Sequence, residues 1–532
     1  MTTGHRYTLP ALLDERAAQT PDQPFLYVDD ECLTYGELQR RSLLAASRLR
    51  GLGIGPGHAV AVLMENCPSY LDVLFGTTRL GALYVPVNTA FRGDFLAHQL
   101  RDSQTRVAVV DAELLPRLLE VAAQLPDLHA VFVRGEYDGA AAPSGVDLLD
   151  VASLLDAPPD PAVEDVAVSW NDICALFYTS GTTGPSKGAA LTQHYLAMAG
   201  KAVADAWQLE PHETVYGAVP LFHFSGMLGT VMSALVTGST AVLDRRFSVS
   251  TAWDRIRQYN ACGLVGVGPM VMMLWNLPAD PSDAELPIRF ISAAPIPTEV
   301  WPQIEQRYGC KVVTMYGMTE AFPITVLGVG DDCAPGSAGV PTSSWDLRLV
   351  DDDDADVAPG AVGEIVVRPR QPHVMFEGYH NRPEATLAQL GNLWFHTGDL
   401  ARRDDDGNLW FVDRKKDAVR RRGENISSFE VESVIVGHPE VEAVAMIGVP
   451  SPLGEEDVKV CVVRVAGAEL TEEQLLDHLV DRMPYFAVPR YVEFVDDLPR
   501  NATGRVLKYQ LREQPLTAAT WDRDAAGYRV AR

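Results

Sequence analysis

Helical and strand-like segments alternate along the first part of the chain. Apolar residues recur at helical spacing over 38–49 and stop before Gly51, and the apolar run 59–64 follows with the length of a buried strand. Similar short apolar runs occupy 107–111 and 128–133. Because each amphipathic helix must bury its apolar side against another element, this alternation predicts a layered α/β fold.

The composition and the pattern of apolar residues change further along the chain. Residues 140–165 are rich in Pro, Ala and Asp and are predicted to form a loop, whereas 345–412 consists of short strand-like segments separated by turns. The acidic run 351–354 between two of these segments is typical of a solvated hairpin turn rather than a metal site. From Asp417 onward helices and strands mix again, with a helix capped by Thr471, which predicts a smaller α+β domain.

Charge and cysteine content exclude several classes of protein. The net charge is −27, from 44 Lys and Arg against 71 Asp and Glu, so binding to nucleic acid or to an anionic membrane surface is not expected. The seven cysteines are scattered and lack a C-x-x-C pair, which argues against a zinc site and a disulfide framework. No signal peptide and no apolar run of membrane-spanning length is evident. We therefore expect a soluble, cytoplasmic protein with small-molecule partners.

The segment Tyr178 to Gly188, YTSGTTGPSKG, has the composition of a phosphate-binding loop. Its glycines allow the backbone to approach a ligand closely, while its hydroxyls and Lys187 can contact phosphate oxygens. The spacing differs from the G-x-x-x-x-G-K-[ST] pattern, so the segment is not a P-loop of the NTPase type. Taken alone, it is more often a polar surface loop.

Four further segments follow in order: SAAPIP at 292–297, TMYGMTE at 314–320, WFHTGDL at 394–400 and DRKKDAVRRRGENISSFEVE at 413–432. Together with the first, they closely resemble the motifs of the adenylate-forming superfamily, which includes acyl-CoA synthetases, nonribosomal peptide adenylation domains and beetle luciferases. The last segment most resembles carnitine- and crotonobetaine-CoA ligase-like members.

The resemblance implies a division into domains. It implies a large multi-layer N-terminal α/β domain with a small β-barrel-like subdomain over 1–413, a hinge at 414–417 and a small mobile α+β domain over 418–532. Lys416 matches the position of the hinge, and Gly423 and Glu424 match positions that line the approach of a thiol such as that of CoA.

The resemblance also implies roles in nucleotide binding. Tyr316 is expected to stack on adenine, Asp399 and Arg414 to contact the ribose, and Thr319 to bind the α-phosphate. Glu320 is expected to hold Mg²⁺, a cation that favours carboxylate and phosphate oxygens, and Lys187 to neutralise phosphate charge. The remaining nucleotide contacts are expected from Thr179, Ser180, Gly181, Thr182, Thr183, Gly184, Ala293, Ala294, Pro295 and Gly317.

A pocket for the acid is implied by two more matches. PLFHFSGM places His223 and Phe224 in one wall, and Gly268, Met270 and Ala321 complete the pocket. The small, apolar character of these residues favours a compact organic acid. A single histidine among aromatic residues is more often a packed core residue than a catalyst, so we assign His223 to the wall only.

The C-terminal segment LPRNATGRVLKYQLRE, 498–513, departs from the family at one position. The residue after Thr-Gly is normally a lysine that contacts the acid and the α-phosphate, and here it is Arg505. The planar guanidinium is not equivalent to an ammonium group at a reacting centre. Lys508 is the alternative cation, unless it only faces solvent.

Three functions remain open. The leading one is an AMP-forming acid-CoA ligase that uses ATP, Mg²⁺ and CoA. The second, favoured by Arg505, is adenylation of nitrite and its transfer to an aryl amine to form a diazo group. The third is an inactive nucleotide-binding homologue. The identity of the acid and the oligomeric state, monomer or homodimer, stay undetermined.

Overall fold

The computed structural model describes residues 6–137, 143–179, 185–332, 334–414, 418–421, 424–451, 454–499, 506 and 508–530. The α-helices in chain order are α1 Leu9–Gln19, α2 Tyr35–Gly51, α3 Pro68–Arg79, α4 Gly93–Asp102, α5 Leu115–Ala122, α6 Gln193–Trp207, α7 Phe224–Gly226, α8 Ser233–Thr237, α9 Ala252–Gln258, α10 Gly268–Trp275, α11 Trp301–Tyr308, α12 Pro383–Leu387, α13 Ser428–Val436, α14 Glu472–Leu479 and α15 Lys508–Glu513.

The strands in chain order are β1 Pro24–Val28, β2 Glu31–Thr34, β3 Ala59–Leu63, β4 Leu83–Pro86, β5 Thr105–Asp111, β6 Ala130–Arg134, β7 Asp147–Asp150, β8 Ile173–Thr179, β9 Lys187–Thr192, β10 Thr214–Gly217, β11 Thr240–Leu243, β12 Gly263–Val265, β13 Phe290–Ser292, β14 Lys311–Met318, β15 Ala321–Leu327, β16 Val340–Pro341, β17 Trp345–Val350, β18 Gly363–Pro369, β19 Leu390–Gly391, β20 Trp394–Arg403, β21 Leu409–Arg414, β22 Ala418–Arg421, β23 Glu424–Ser427, β24 Val441–Pro450, β25 Glu456–Arg464, β26 Tyr491–Phe494 and β27 Trp521–Asp522.

Two largely parallel sheets form the N-terminal part of the molecule. One has nine strands in the order β16-β15-β14-β13-β12-β10-β11-β1-β2, and the other has seven in the order β7-β6-β5-β3-β4-β8-β9. Helices α2, α3 and α6 bury apolar residues in a cluster that also contains residues of both sheets, including Val60 and Val215. This confirms the predicted layered α/β architecture, because parallel strands require helical connections that cover the faces of the sheet.

The segment after β16 forms a small antiparallel sheet, and the C-terminal part forms a separate α+β unit. The small sheet has the order β17-β18-β20-β19 with β21 also paired to β20, and it corresponds to the predicted subdomain. The C-terminal unit contains a four-stranded sheet, β24-β25-β26-β27, and the hairpin β22–β23. Its apolar core includes Val431, Val460 and Leu476. A large N-terminal domain and a smaller C-terminal domain are thus confirmed.

Most local predictions agree with the structure, and one does not. The helix expected at 38–49 extends over α2, and the helix after Thr471 begins with the predicted reciprocal cap, in which Thr471 and Gln474 bind each other's backbone amides. The prediction of a loop over 140–165 is wrong in part, because β7 adds a parallel edge strand to β6 and two short 3₁₀-helices follow at Val151–Leu154 and Pro161–Val163. The β7 sequence DLLD was overlooked because an edge strand needs backbone pairing and little apolar surface.

The acidic run, the cysteines and the helices agree with the predictions from charge and composition. In the acidic run 351–354, Asp351 accepts hydrogen bonds from the amides of Asp353 and Ala355, as in a turn. Six cysteines among the described residues carry free thiols, and Cys333 lies outside that set. Among the described helices, none is both long enough and apolar enough to cross a bilayer.

Candidate active site

The two ends of the phosphate-binding loop are held together by an antiparallel hairpin. Strands β8 and β9 pair so that Thr179 lies opposite Lys187. Gly188 follows against the ring of Tyr178, where a Cβ atom would approach the ring to 3.1 Å. The predicted nucleotide contacts Ser180, Gly181, Thr182, Thr183 and Gly184 lie outside the described residues. The hairpin nevertheless fixes where this loop leaves and rejoins the sheet.

The turn between β14 and β15 brings the second motif to this loop. Glu320 is 3% exposed, and its Oε1 atom accepts hydrogen bonds from Thr179 Oγ1 at 3.2 Å and from the Tyr379 hydroxyl at 2.7 Å. The neighbouring Thr319 carbonyl accepts a hydrogen bond from the Tyr195 hydroxyl at 3.1 Å. The structure therefore joins residues separated by 141 positions into one site, with a buried carboxylate beside the phosphate loop.

The buried carboxylate of Glu320 fits a divalent cation. Both of its hydroxyl contacts fall on Oε1, which leaves Oε2 as an oxygen ligand of the kind Mg²⁺ prefers. In the described part of the chain no group of three or more His, Cys, Asp or Glu residues forms a metal cage. A single carboxylate together with substrate phosphates is a common arrangement for Mg²⁺, which rarely uses an all-protein cage.

Tyr316 and Asp399 meet at the expected nucleoside position. The Tyr316 hydroxyl donates to Asp399 Oδ2 at 2.9 Å, and Asp399 is 6% exposed. Arg414 lies directly opposite Asp399 in the β20–β21 ladder, although its side chain is outside the described set. The small sheet thus places Asp399 beside β14 of the nine-stranded sheet, where the side chain of Tyr316 is half-buried.

The segment expected beside the adenine packs against the start of α10. The Gly268 amide donates to the Ala294 carbonyl at 3.2 Å, and a Cβ atom on Gly268 would lie 1.8 Å from the Pro295 carbonyl oxygen. Glycine is therefore required for this close approach. Ala293 is buried directly after β13. A Cβ atom on Gly317 would lie 2.7 Å from both the Ala321 carbonyl oxygen and the Phe322 ring.

The residues assigned to the acid pocket differ in how much of each side chain is exposed. The ring of Phe224 is buried and packs against Phe177 at 5.3 Å and Phe322 at 6.0 Å between ring centroids. Met270 is half-buried, and Ala321 is fully buried. His223 keeps 28% of its side chain exposed. His223 is therefore more accessible to a substrate than Phe224.

The C-terminal domain reaches this pocket through Glu424. Glu424 Oε1 lies 3.0 Å from His223 Nε2, and Asn88 Nδ2 donates to both carboxylate oxygens at 3.2 Å. Gly423 and Lys416, the other two residues predicted for the hinge and the thiol approach, lie outside the described residues. Asn88 was not predicted, because nothing in its local sequence distinguishes it from a turn residue.

A second interdomain contact engages the phosphate loop itself. Glu430 in α13 accepts a hydrogen bond from the Ser186 amide at 2.6 Å, and His98 Nε2 lies 2.8 Å from the Ser186 carbonyl. Burial raises the pKa of Glu430 to about 7, although the Ser186 hydrogen bonds oppose the shift. Nothing in the local sequence assigns Glu430 to an interface, because its partner, Ser186, belongs to the other domain.

Comparison with known proteins identifies the family. The model of the AMP-binding enzyme family matches residues 13–380, and that of the AMP-binding enzyme C-terminal domain matches residues 430–505. The chain belongs to the AMP-binding enzyme family. It is therefore an adenylate-forming enzyme with two recognisable parts, as the order of its motifs predicted.

Three relatives cover almost the whole chain. A feruloyl-CoA synthase from Amycolatopsis is 36% identical over 94% of this chain and 97% of its own. A crotonobetaine/carnitine–CoA ligase from Salmonella typhi is 30% identical over 90% and 93%, respectively. The structure of a double mutant of Bacillus subtilis o-succinylbenzoate CoA synthetase, bound to the product analogue OSB-NCoA, has a TM-score of 0.80 at 26% identity and covers 94% of this chain and 98% of its own. Each of the three is named as a CoA synthase, ligase or synthetase.

The Glu430 contact should make domain closure depend on pH. When the domains separate and water reaches the carboxyl group, its pKa returns towards 4.5, so ionisation favours separation. Closure should therefore weaken as the pH rises from about 4.5 to about 7, by up to roughly 300-fold for a difference of about 2.5 pKa units, and change little above pH 7. Energy transfer between dyes on exposed Cys32 and on an introduced Glu473→Cys measures the closed fraction.

Glu430→Gln keeps an acceptor for the Ser186 amide but cannot ionise, so its closed fraction should be constant over this pH range. Exposed Glu442→Gln, in the same domain, serves as the matched control and should behave like the wild type. An unchanged pH response in Glu430→Gln would mean that a titratable group other than Glu430 controls closure.

Proposed function

We propose that this enzyme is an ATP- and Mg²⁺-dependent acid-CoA ligase that forms AMP and acts in the cytoplasm. The observation that carries the proposal is the hydrogen bond from Thr179 to Glu320, which joins the phosphate loop to the carboxylate suited to Mg²⁺. Tyr316 and Asp399 supply a nucleoside site beside it. The proximity of these groups supports a single site for ATP and Mg²⁺.

In the first step, the acid carboxylate attacks the α-phosphorus of ATP and pyrophosphate leaves. Two anions approach each other, so the site must neutralise charge that builds up on the phosphoryl oxygens. Lys187 and Thr319 would hold those oxygens, and Glu320 would hold Mg²⁺, which would supply additional positive charge. Tyr316 and Asp399 orient the nucleoside so that the displacement is in line.

In the second step, a thiol attacks the acyl carbon of the adenylate and AMP leaves. Glu424 enters the acid pocket from the C-terminal domain and contacts His223 and Asn88. We propose that this arrangement is the one used for thioester formation and that the C-terminal domain rotates at 414–417 between the steps. Bringing a new surface to a fixed site through a few hinge dihedrals is a common form of domain motion.

The acid is proposed to be a compact aromatic carboxylic acid. The rings of Phe222 and His223 lie 4.6 Å apart between centroids with their planes tilted by 49°, and an aromatic wall of this kind suits an aromatic acid. Feruloyl-CoA synthase, a relative with 36% identity, acts on an acid of this kind by its name. The zwitterionic acid implied by the more distant relative would need a polar pocket.

A pyrophosphate-release assay with a panel of acids tests the function. Turnover that needs an aromatic acid, ATP, Mg²⁺ and CoA supports the proposal. Turnover with nitrite and an aryl amine in the absence of CoA supports the second candidate function, which the replacement of the usual lysine by Arg505 favours. Absence of turnover with every acid, together with nucleotide binding by calorimetry, indicates an inactive homologue.

Lys508 is proposed to stabilise the C-terminal domain rather than to serve adenylation. Its ammonium group lies 2.7 Å from Glu432 Oε1 and 3.0 Å from Ser428 Oγ, and only 14% of the side chain is exposed. Both partners belong to α13 of the same domain, so a rotation of the domain carries all three residues together. Arg505, which lies outside the described residues, is therefore the better candidate for the adenylation cation.

Lys508→Met should leave acid-dependent ATP–pyrophosphate exchange within about threefold of the wild type, while lowering the stability of the domain by about 1–3 kcal/mol through the loss of charged hydrogen bonds. Arg505→Ala should reduce exchange about 100-fold, the typical effect of removing one charge-stabilising group. Exchange rates and thermal unfolding of both variants show which of the two residues is the adenylation cation. The reverse pattern would assign the catalytic cation to Lys508.

A further inference from the structure

Tyr379 occupies the connection between β18 and α12, and it has no role in the motifs discussed above. Its backbone pairs with Ala189 of β9, and the next amide, that of His380, donates to the Gly188 carbonyl at 2.8 Å. The side chain is 9% exposed. The residue is thus fixed to the strand that carries the phosphate loop.

The side chain of Tyr379 contacts two oppositely charged residues. Its hydroxyl donates to Glu320 Oε1 at 2.7 Å, and the Lys187 ammonium lies over its ring, 4.8 Å from the centroid. A cation at this distance is attracted by the negative face of the ring. One phenol therefore contacts both the carboxylate suited to the metal and the cation of the phosphate loop.

The chemistry of the phenol suits this double contact. A carboxylate oxygen only accepts hydrogen bonds, so the Tyr379 hydroxyl is the donor in this contact. This donated hydrogen bond restricts the rotation of the Glu320 carboxylate. The ring also attracts the Lys187 ammonium. Unlike a carboxylate, the ring carries no net charge that would neutralise the ammonium.

We propose that Tyr379 is a positioning residue that orients Glu320 for Mg²⁺ and Lys187 for the triphosphate at the same time. Its hydroxyl and its ring serve the two groups separately. Removing the hydroxyl should weaken only the tightening of ATP binding by Mg²⁺. Removing the ring should also weaken the binding of ATP without metal. This inference rests on the proposed function, because it assumes that MgATP occupies this site.

Calorimetric titration of ATP, once with EDTA and once with Mg²⁺, separates the two effects. For Tyr379→Phe, we expect the tightening of ATP binding by Mg²⁺ to fall about 10-fold, with binding in EDTA unchanged, because one hydrogen bond to a charged group is lost. For Tyr379→Leu, binding in EDTA should also weaken several-fold, since Lys187 loses its support. A merely structural role would not produce a defect confined to the metal-dependent part.

Tyr216→Phe is the matched control, because the Tyr216 hydroxyl also donates to a buried carboxylate, Asp244, at 2.7 Å in the nine-stranded sheet. It should retain the wild-type response to Mg²⁺. Thermal unfolding of all variants confirms that they are folded. If wild-type protein binds no MgATP, the proposed function fails. If the wild type binds and Tyr379→Phe responds to Mg²⁺ like Tyr216→Phe, only the inference about Tyr379 is overturned.

Discussion

Glu320→Gln should reduce acid-dependent ATP–pyrophosphate exchange by about 10²- to 10³-fold and abolish its dependence on Mg²⁺ concentration. The substitution preserves the shape of the side chain and an acceptor for Thr179 and Tyr379, but it removes the charge that a divalent cation requires. Loss of one preorganised charge at a phosphoryl-transfer site typically costs this much. Exchange measured over a range of Mg²⁺ concentrations provides the test.

The same variant should be at least as stable as the wild type when both unfold in EDTA. Glu320 is 3% exposed, and replacing a buried carboxylate with a neutral isostere removes a desolvation cost. Glu377→Gln is the control, because Glu377 binds His373 at 2.6 Å and is more exposed. A Glu320→Gln enzyme that retains full exchange would show that the metal, if used, binds elsewhere.

Glu424→Ala should slow the transfer of the acyl group from its adenylate to CoA by about 100-fold while leaving adenylate formation within about threefold of the wild type. The variant loses the contacts of the carboxylate with His223 and Asn88, and hydrogen bonds to charged groups typically contribute about 1.5–3 kcal/mol each. Because these contacts join the two domains, their loss should affect only the step that uses this arrangement.

Single-turnover experiments separate the two steps. The enzyme is first loaded with acid and ATP, pyrophosphatase removes pyrophosphate, and CoA is then added while thioester formation is followed. Glu442→Ala, an exposed position on β24, controls for general effects of substitution in the C-terminal domain. Equal loss in both steps would contradict the assignment of this interdomain contact to thioester formation.

Local chemistry explains which features were predictable. The helix α2 ends near Gly51, and α14 begins at Thr471, because caps and apolar spacing act within one or two turns of the chain. Strand β7 escaped prediction because its stability comes from pairing with β6 rather than from its own apolar pattern. The resemblance of five ordered motifs identified the family and the fold, which the comparisons confirm.

The residues of the candidate site also fall into two groups, those that the sequence predicts and those that it does not. Thr179, Lys187, Tyr316, Glu320 and Asp399 were chosen from motifs, whose residue types already suit phosphate, metal and ribose. Asn88, Tyr379 and Glu430 could not be chosen, because an isolated Asn, Tyr or Glu has no local signature of its partner. Lys508 was a candidate for catalysis from its position in the chain, and its contacts with Glu432 and Ser428 favour a structural role instead.

The sequence by itself determined the alternation of helices and strands, the order of the motifs and thus the chemistry of adenylate formation, since these depend on residue type and short-range spacing. Only the tertiary structure decided which charges share a partner. Glu320 and Lys187 both contact Tyr379, and Glu424 contacts His223, because strand pairing and domain contact bring together residues that are far apart in the sequence, 201 positions for the last pair.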